Sequence, residues 1–205
     1  MKIAGIYLAA GNSSRMGSNK LALPVGTKTL GSLAVETALQ SSLQRIYIIT
    51  KENDDRSWLS PEVQSHAKSA IIPCATAHEG QAISLRCGIQ QAQSDQMDAV
   101  LIMLADQPFI TVQMIEEMIA CAKENPSCRF VATALEGTIL PPVFFPSAMY
   151  NDLLKLHGDI AAKAILQGEF LQHGKLLPCK DQRLVFDIDT KEQYKQLFTE
   201  RTITK

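Results

Sequence analysis

The stretch Ile3-Ala4-Gly5-Ile6-Tyr7-Leu8-Ala9-Ala10-Gly11-Asn12-Ser13-Ser14-Arg15-Met16-Gly17-Ser18-Asn19-Lys20 decides the fold. Its opening run, Ile3 to Ala9, is short and mostly apolar, as expected of a buried strand. The run passes directly into small and polar residues. Gly11 and Gly17 open backbone angles closed to other residues, so peptide N–H groups can converge on one anion. Asn12, Ser13 and Ser14 are short enough to leave room for a phosphate. Arg15 and Lys20 bring the cationic charge that a triphosphate or a departing pyrophosphate requires. The spacing is neither a Walker A loop nor the dinucleotide fingerprint.

Outward from this loop, short apolar runs alternate with stretches of helical periodicity. Strands are expected at Ile3 to Ala9, Ile46 to Thr50, Ala70 to Ile72, Val100 to Leu104, Phe130 to Ala134, Val143 to Phe145 and Leu184 to Asp187. Helices are expected at Leu30 to Gln40, Gly80 to Gln93, Val112 to Glu124, Ser147 to Leu156, Ile160 to Gln167 and Lys191 to Thr199. The alternation predicts an α/β fold in three layers, with a mainly parallel, mixed central sheet covered by helices on both faces. Ligands of such sheets bind beyond the carboxyl ends of the strands. No repeat, low-complexity tract or linker divides residues 1–205, so one domain is expected.

The run Ala99 to Leu104 ends in Ala105-Asp106-Gln107-Pro108, and Pro108 turns the chain away from the strand. Asp106 therefore stands at a carboxyl strand end. Mg²⁺ takes one or two carboxylates plus phosphate oxygens, and an aspartate facing a phosphate loop meets that need. The competing role, capping the next helix, suits Thr111 better. Further on, Phe186-Asp187-Ile188-Asp189-Thr190 follows another apolar run and precedes a helix. Asp187 and Asp189 share a face if the strand continues that far. Asp189 or Thr190 is also placed to cap the helix.

The string from Leu8 to Lys20 resembles the signature L-A-[AG]-G-x-S-x-R-[MF]-G-x-x-K of the molybdenum cofactor nucleotidyltransferase-like family. The resemblance implies a Rossmann-like, glycosyltransferase-A-like nucleotidyltransferase fold. It also implies that Leu8, Ala9, Ala10, Gly11, Ser13 and Lys20 wrap the nucleotide. Lys20 would stabilise charge at the reacting phosphorus, with Arg15 and Asp106 completing the catalytic set. Met103-Leu104-Ala105-Asp106-Gln107-Pro108 resembles the family's L-x-D-Q-P motif, whose aspartate binds Mg²⁺. Residues 187–194 read D-I-D-T-K-E-Q-Y, similar to the family's D-I-D-T-P-E-D-Y beside the metal. A second metal contact is shared between Asp187 and Asp189, with a lean to Asp189. Glu79 to Leu85 resembles a G-x-x-x-S-L segment at a helix start, where Gly80 and Ser84 would hold the base or ribose. An ordinary capped helix is the alternative there.

His157 to Lys163 corresponds to the family's T-G-D-x-G-A-R stretch, which assigns Gly158, Asp159 and Lys163 to the acceptor. Two departures matter: Ala161 replaces glycine, and Lys163 replaces arginine, losing the planar fork that grips phosphate bidentately. Pro141-Pro142-Val143-Phe144-Phe145 is bulkier than the usual G-x-P-V-L-F. Reading L-A-A-G, rather than L-A-G-G, the loop looks like the cytidylyl-transferring branch. There, the Ala10 methyl would narrow the base pocket against a purine, an effect of about 1–3 kcal/mol. The implied reaction moves CMP from CTP to molybdopterin or molybdenum cofactor, in support of molybdenum hydroxylases such as xanthine dehydrogenase and hence purine catabolism. Partners so implied are CTP or another nucleoside triphosphate, the cofactor, and a hydroxylase or its chaperone. Two alternatives stand beside it: transfer to a sugar or polyol phosphate, and a non-catalytic cofactor-binding chaperone. The loop with Lys20 and Asp106 argues against the chaperone, because a carrier has no triphosphate to activate.

A net charge of −1 over 205 residues provides no basic field for nucleic acid or membrane surfaces. No apolar run approaches the ~20 residues that cross a bilayer. Five cysteines (Cys74, Cys87, Cys121, Cys128 and Cys179), without a C-x-x-C pair, read as scattered, mostly buried thiols in a cytoplasmic protein. His66, His78 and His173 lie at no metal-ligand spacing, and Trp58 sits in a polar connection with no chemistry assigned.

Overall fold

The computed structural model describes residues 1–11, 19–158, 166 and 168–199. In chain order its elements begin with β1 (Ile3–Leu8), a small ribbon of β2 (Pro24–Val25) and β3 (Lys28–Thr29), α1 (Leu30–Leu39), β4 (Arg45–Lys51), α2 (Pro61–Ser65) and β5 (Ser69–Cys74). There follow α3 (Gln81–Ser94), β6 (Ala99–Leu104), α4 (Val112–Glu124), β7 (Phe130–Leu135), β8 (Thr138–Pro146), α5 (Tyr150–Leu154), β9 (Gly174–Pro178) and α6 (Lys191–Thr199). Seven strands make one sheet in the order β5-β4-β1-β6-β8-β7-β9. Every pairing in it is parallel except the two made by β8.

The core explains the layers. Alternate strand residues face opposite ways, so Ile3 and Tyr7 of β1 join one cluster while Ala4 and Ile6 join another. The first cluster takes the apolar faces of α1 and α4; the second takes those of α3 and α5. Glycine sets the closest approaches: a Cβ on Gly88 of α3 would lie 2.6 Å from the Ile6 side chain. The β7–β8 hairpin turns through Glu136 and Gly137, whose φ angles are 49° and 80°. Two successive positive φ values suit the two-residue turn that matches strand twist.

The expected three-layer, mainly parallel α/β architecture is what forms, and six of the seven expected strands are present. The seventh is a correction. Leu184 to Asp187 is no strand: Gln182–Val185 is a 3-10 turn, and extended chain follows it. Its apolar residues do not extend the sheet; Val185 packs into the main core, and Phe186 and Ile188 into a satellite cluster with Val25, Leu30 and Leu197. Ser147 to Leu156 divides into a 3-10 turn and the short α5. The expected helix from Ile160 to Gln167 lies outside the described residues, Leu166 excepted. β2, β3, β9 and α2 were not anticipated, being too short or too polar to show periodicity.

One further expectation changes. Cys74, at the end of β5, and Cys87, in the second turn of α3, form a disulfide. The β5–α3 packing brings together residues whose spacing carries no motif; Cys121, Cys128 and Cys179 remain free thiols. Trp58, in its polar connection, is fully buried. Gly31 of α1 makes room for its ring, since a Cβ there would come within 2.6 Å of it, and Asp54 accepts a hydrogen bond from its Nε1 at 2.9 Å. Among the described residues, no helix is long and apolar enough to cross a membrane.

Candidate active site

β1 is the point where strand order reverses: β4 and β5 lie to one side of it and β6 to the other. Parallel strands running apart in this way leave a crevice at their carboxyl ends. Two backbone hydrogen bonds carry the pairing past the strand ends, Ala9 N–H to Ile49 O at 3.0 Å and Ala105 N–H to Leu8 O at 3.1 Å. Ala9, Ala10, Ala105 and Asp106 therefore meet at the crevice.

Lys20 enters from the other end of the glycine loop. The Asn19 side chain accepts from Leu21 N–H at 3.1 Å and starts a 3-10 turn, Lys20–Ala22, while buried Leu21 anchors it. The ammonium so delivered lies 2.6 Å from Asp106 Oδ2 and 2.8 Å from Asp189 Oδ1. Lys20 is only 9% exposed. Burial works to lower its pKa, but attraction to the two carboxylates outweighs burial and holds the pKa above the ordinary lysine value.

Asp189 reaches this ammonium because it does not cap α6. Thr190 does: its Oγ1 accepts from Gln193 N–H at 3.2 Å, and Gln193 Oε1 accepts from both Asp189 N–H and Thr190 N–H at 2.8 Å. This reciprocal capping box does not draw on the Asp189 carboxylate, which pairs with Lys20. Asp187 points inward. Burial pushes its carboxyl up to about 6, with repulsion from Asp106 and Asp189 adding to it, against the Gln107 amide and Lys20. Asp106 Oδ1 and Asp187 Oδ1 are buried and accept no hydrogen bond among the described residues. No group of three or more metal-type side chains converges among those residues. An oxygen-only donor set of two carboxylates, with one oxygen left over, fits a hard divalent cation that takes its remaining ligands from phosphate and water.

Two cavities open on this cluster. One, of about 200 Å³, is lined by Leu8, Ala9, Gly11, Lys20, Asp106 and Asp189 among others. The second, of about 430 Å³, shares Leu8, Gly11 and Asp106 and extends over Ala10, Gly80 and Ser84 to His78 and Glu79. Gly80 has a φ of 132°, an angle that only glycine adopts readily, and it caps the N-terminus of α3. Of the expected site residues, Leu8, Ala9, Ala10, Gly11, Lys20, Gly80, Ser84, Asp106 and Asp189 are brought together here. Asp187 stands behind them, and Gly158 lines neither cavity. Ser13, Arg15, Asp159 and Lys163 lie outside the described residues. Val143, Phe144 and Phe145 belong to the core on both faces of β8, so their bulk serves packing. His78 and Glu79 were missed, and only their position just before the α3 start could have flagged them. Gln107 was also missed as a site residue; it is 1% exposed directly beneath the carboxylates.

Residues 5–176 match the MobA-like NTP transferase domain. The chain belongs to this family. The "Purine catabolism protein PucB" of Bacillus subtilis (strain 168) is 34% identical over 196 residues, covering 94% of each chain. Both observations make this MobA-like protein a nucleotidyltransferase that takes a nucleoside triphosphate. Solved structures share its fold at lower identity. Rv0371c of Mycobacterium tuberculosis H37Rv superposes with a TM-score of 0.80 at 20% identity, covering 97% of this chain and 99% of that one. A manganese complex of Rv0371c superposes at 0.76, also at 20% identity and with the same coverage. The 4-diphosphocytidyl-2C-methyl-D-erythritol synthase of Anaerococcus prevotii DSM 20548 reaches 0.77 at 17% identity, covering 98% and 96%.

Proposed function

We propose that this MobA-like transferase moves CMP from CTP onto molybdopterin or molybdenum cofactor and releases pyrophosphate. The observation that carries the reading is the Lys20 ammonium held between Asp106 and Asp189 where the two cavities meet. The larger cavity, with Ala10, Gly80 and Ser84 on its walls, suits the nucleoside. Ala10 is 3% exposed and lines that cavity, and in this reading its methyl narrows the space left for a purine. The smaller one, with Gly11, Lys20 and the carboxylates, suits the phosphates.

In this reading an acceptor phosphate oxygen attacks the α-phosphorus in line, and the bond to pyrophosphate breaks. The attacking oxygen is already anionic, so no general base is required and no protein nucleophile takes part. Catalysis then rests on positioning and on charge placed where the reaction needs it. Lys20 stabilises the charge growing on the phosphoryl oxygens. Arg15 is assigned the departing pyrophosphate, and Ser13 the same loop. Asp106 and Asp189 are the residues we assign to Mg²⁺, with Asp187 behind them. The bound ion supplies electrostatic stabilisation of the triphosphate. The manganese complex of Rv0371c supports a divalent ion in a protein of this fold. Gly158, Asp159 and Lys163 are assigned to the acceptor.

The name of the B. subtilis relative supports a place in purine catabolism, through maturation of a molybdenum hydroxylase such as xanthine dehydrogenase. We assign the reaction to the cytoplasm, within one domain spanning residues 1–205. The test supplies the purified protein with Mg²⁺, molybdenum cofactor and each nucleoside triphosphate in turn, and measures pyrophosphate. Release with CTP alone is expected. Release with GTP alone overturns the assigned base, and release with a polyol phosphate but not the cofactor overturns the assigned acceptor.

A further inference from the structure

We propose that Gln107 is a positioning residue that fixes the distance between the two acidic segments of the site. It adjoins Asp106, yet its side chain turns away from the cavities and is 1% exposed. Its Nε2 donates to Val185 O at 3.3 Å, at the entrance to the segment that carries Asp187 and Asp189. The same amide is near enough to Asp187 to favour its charged form, against the burial that raises it. Three residues further on, Ile188 N–H donates to Asp106 O at 3.0 Å. The 185–189 segment is thus laced to the Asp106-Gln107 dipeptide at both ends, without being a strand of the sheet.

This lacing matters because, among the described residues, the segment pairs with no strand of the sheet. A strand draws its position from a ladder of pairings; among the described residues this segment meets the Asp106-Gln107 dipeptide through one backbone bond and one side-chain bond. If the Gln107 amide is removed, the Val185 carbonyl loses its donor and the segment is free to shift. Asp189 would then lose its common focus with Asp106, which is 2.6–2.8 Å from one ammonium in the intact protein. Supporting groups of this kind characteristically change metal affinity about 10–100-fold when they are lost.

The proposal rests on the assignment of Asp106 and Asp189 to the divalent ion, and the test separates the two. Mn²⁺ binding to the full chain, without nucleotide, is followed by electron paramagnetic resonance in Gln107→Met, Gln107→Asn, Asp106→Asn and Asp189→Asn. Amide hydrogen exchange at Ile188 is measured alongside. Both Gln107 variants are expected to weaken Mn²⁺ binding about ten-fold and to speed exchange at Ile188, while turnover recovers at high metal concentration. Gln107→Met keeps the volume and Gln107→Asn keeps the amide chemistry at shorter reach, so either one suffices if the other does not fold. Mn²⁺ affinity and Ile188 exchange within about two-fold of the parent in a folded Gln107 variant overturn the positioning role, if the aspartate variants do lose metal. Undiminished Mn²⁺ binding in both aspartate variants overturns the metal assignment, and Ile188 exchange then still decides whether Gln107 holds the segment.

Discussion

The two acidic segments of the site are held by opposite means. Asp106 follows β6, whose residues are buried and paired to β1 on one side and β8 on the other. Its location is dictated by the register of a central sheet. Asp187 and Asp189 ride on a 3-10 turn and an extended stretch, held by Gln107, by the Ile188 contacts and by the α6 cap. A strand end cannot move without disturbing the sheet, whereas the second segment hangs on a few separable contacts. The carboxylate with the heavier role should therefore be the one on the strand, and damage to the second segment should be graded.

The sharpest contrast comes from neutralising each acid. Asp106→Asn is expected to lower turnover on the order of 10³-fold, because it removes the charge that pairs with Lys20 and that the proposed function assigns to the metal. Its thermal midpoint should move little, since relief of the repulsion on Asp187 offsets part of the attraction lost at Lys20, which Asp189 still holds. Full activity in that variant, measured as pyrophosphate release, takes Asp106 out of the site. Asp189→Asn should lose less, on the order of 10²-fold, and recover in part as metal is added. Its side chain is 39% exposed against 21% for Asp106, so water screens more of its charge. Equal losses in the two variants would erase the asymmetry argued above.

How far each region could be read from sequence follows the same division. The run Ala99 to Leu104 is apolar throughout because both faces of β6 are covered, and the aspartate at its end could be placed at the carboxyl edge of the sheet, where the two cavities open. Residues 12–18 of the glycine loop lie outside the described residues; at its end Asn19 starts the turn that carries Lys20 to Asp106 and Asp189. Leu184 to Asp187 looked like another buried strand since its apolar residues can be shared between the main core and a satellite cluster as easily as they can fill a sheet. Periodicity reports that a residue is buried and not against what. Gln107 was invisible for a related reason: a buried amide is recognised by the carbonyl it meets, and that carbonyl, of Val185, lies 78 residues along the chain. The Cys74–Cys87 pairing and the burial of Trp58 likewise depend on packing between elements.

Ile188 offers a way to loosen the second segment without touching an acid. It is fully buried in the small cluster with Val25, Leu30 and Leu197. Ile188→Ala should cost about 2 kcal/mol, near the low end for such truncations because a satellite cluster collapses more easily than a central core. A urea titration should show the lower midpoint. The same variant should raise the metal concentration needed for half-maximal turnover, while nucleotide binding at the β1 end stays close to the parent. A loss confined to nucleotide binding would mean that Ile188 supports the glycine loop instead of the acids.

The smallest effect is expected at the helix cap. Thr190→Ala deletes the oxygen that accepts from Gln193 N–H, a change worth about 1 kcal/mol at an N-cap. The other half of the box survives, because Gln193 Oε1 still accepts from the Asp189 and Thr190 amides. Asp189 should therefore stay near Lys20, and turnover should fall only a few-fold while exchange at the Gln193 amide quickens. Thr190→Ser retains the oxygen and should behave like the parent in both measurements. A collapse of turnover in Thr190→Ala, as deep as in Asp189→Asn, would show that the cap alone holds the second segment. The contacts of Gln107 and Ile188 make the opposite case: with three independent anchors, losing the weakest leaves the acid where it is.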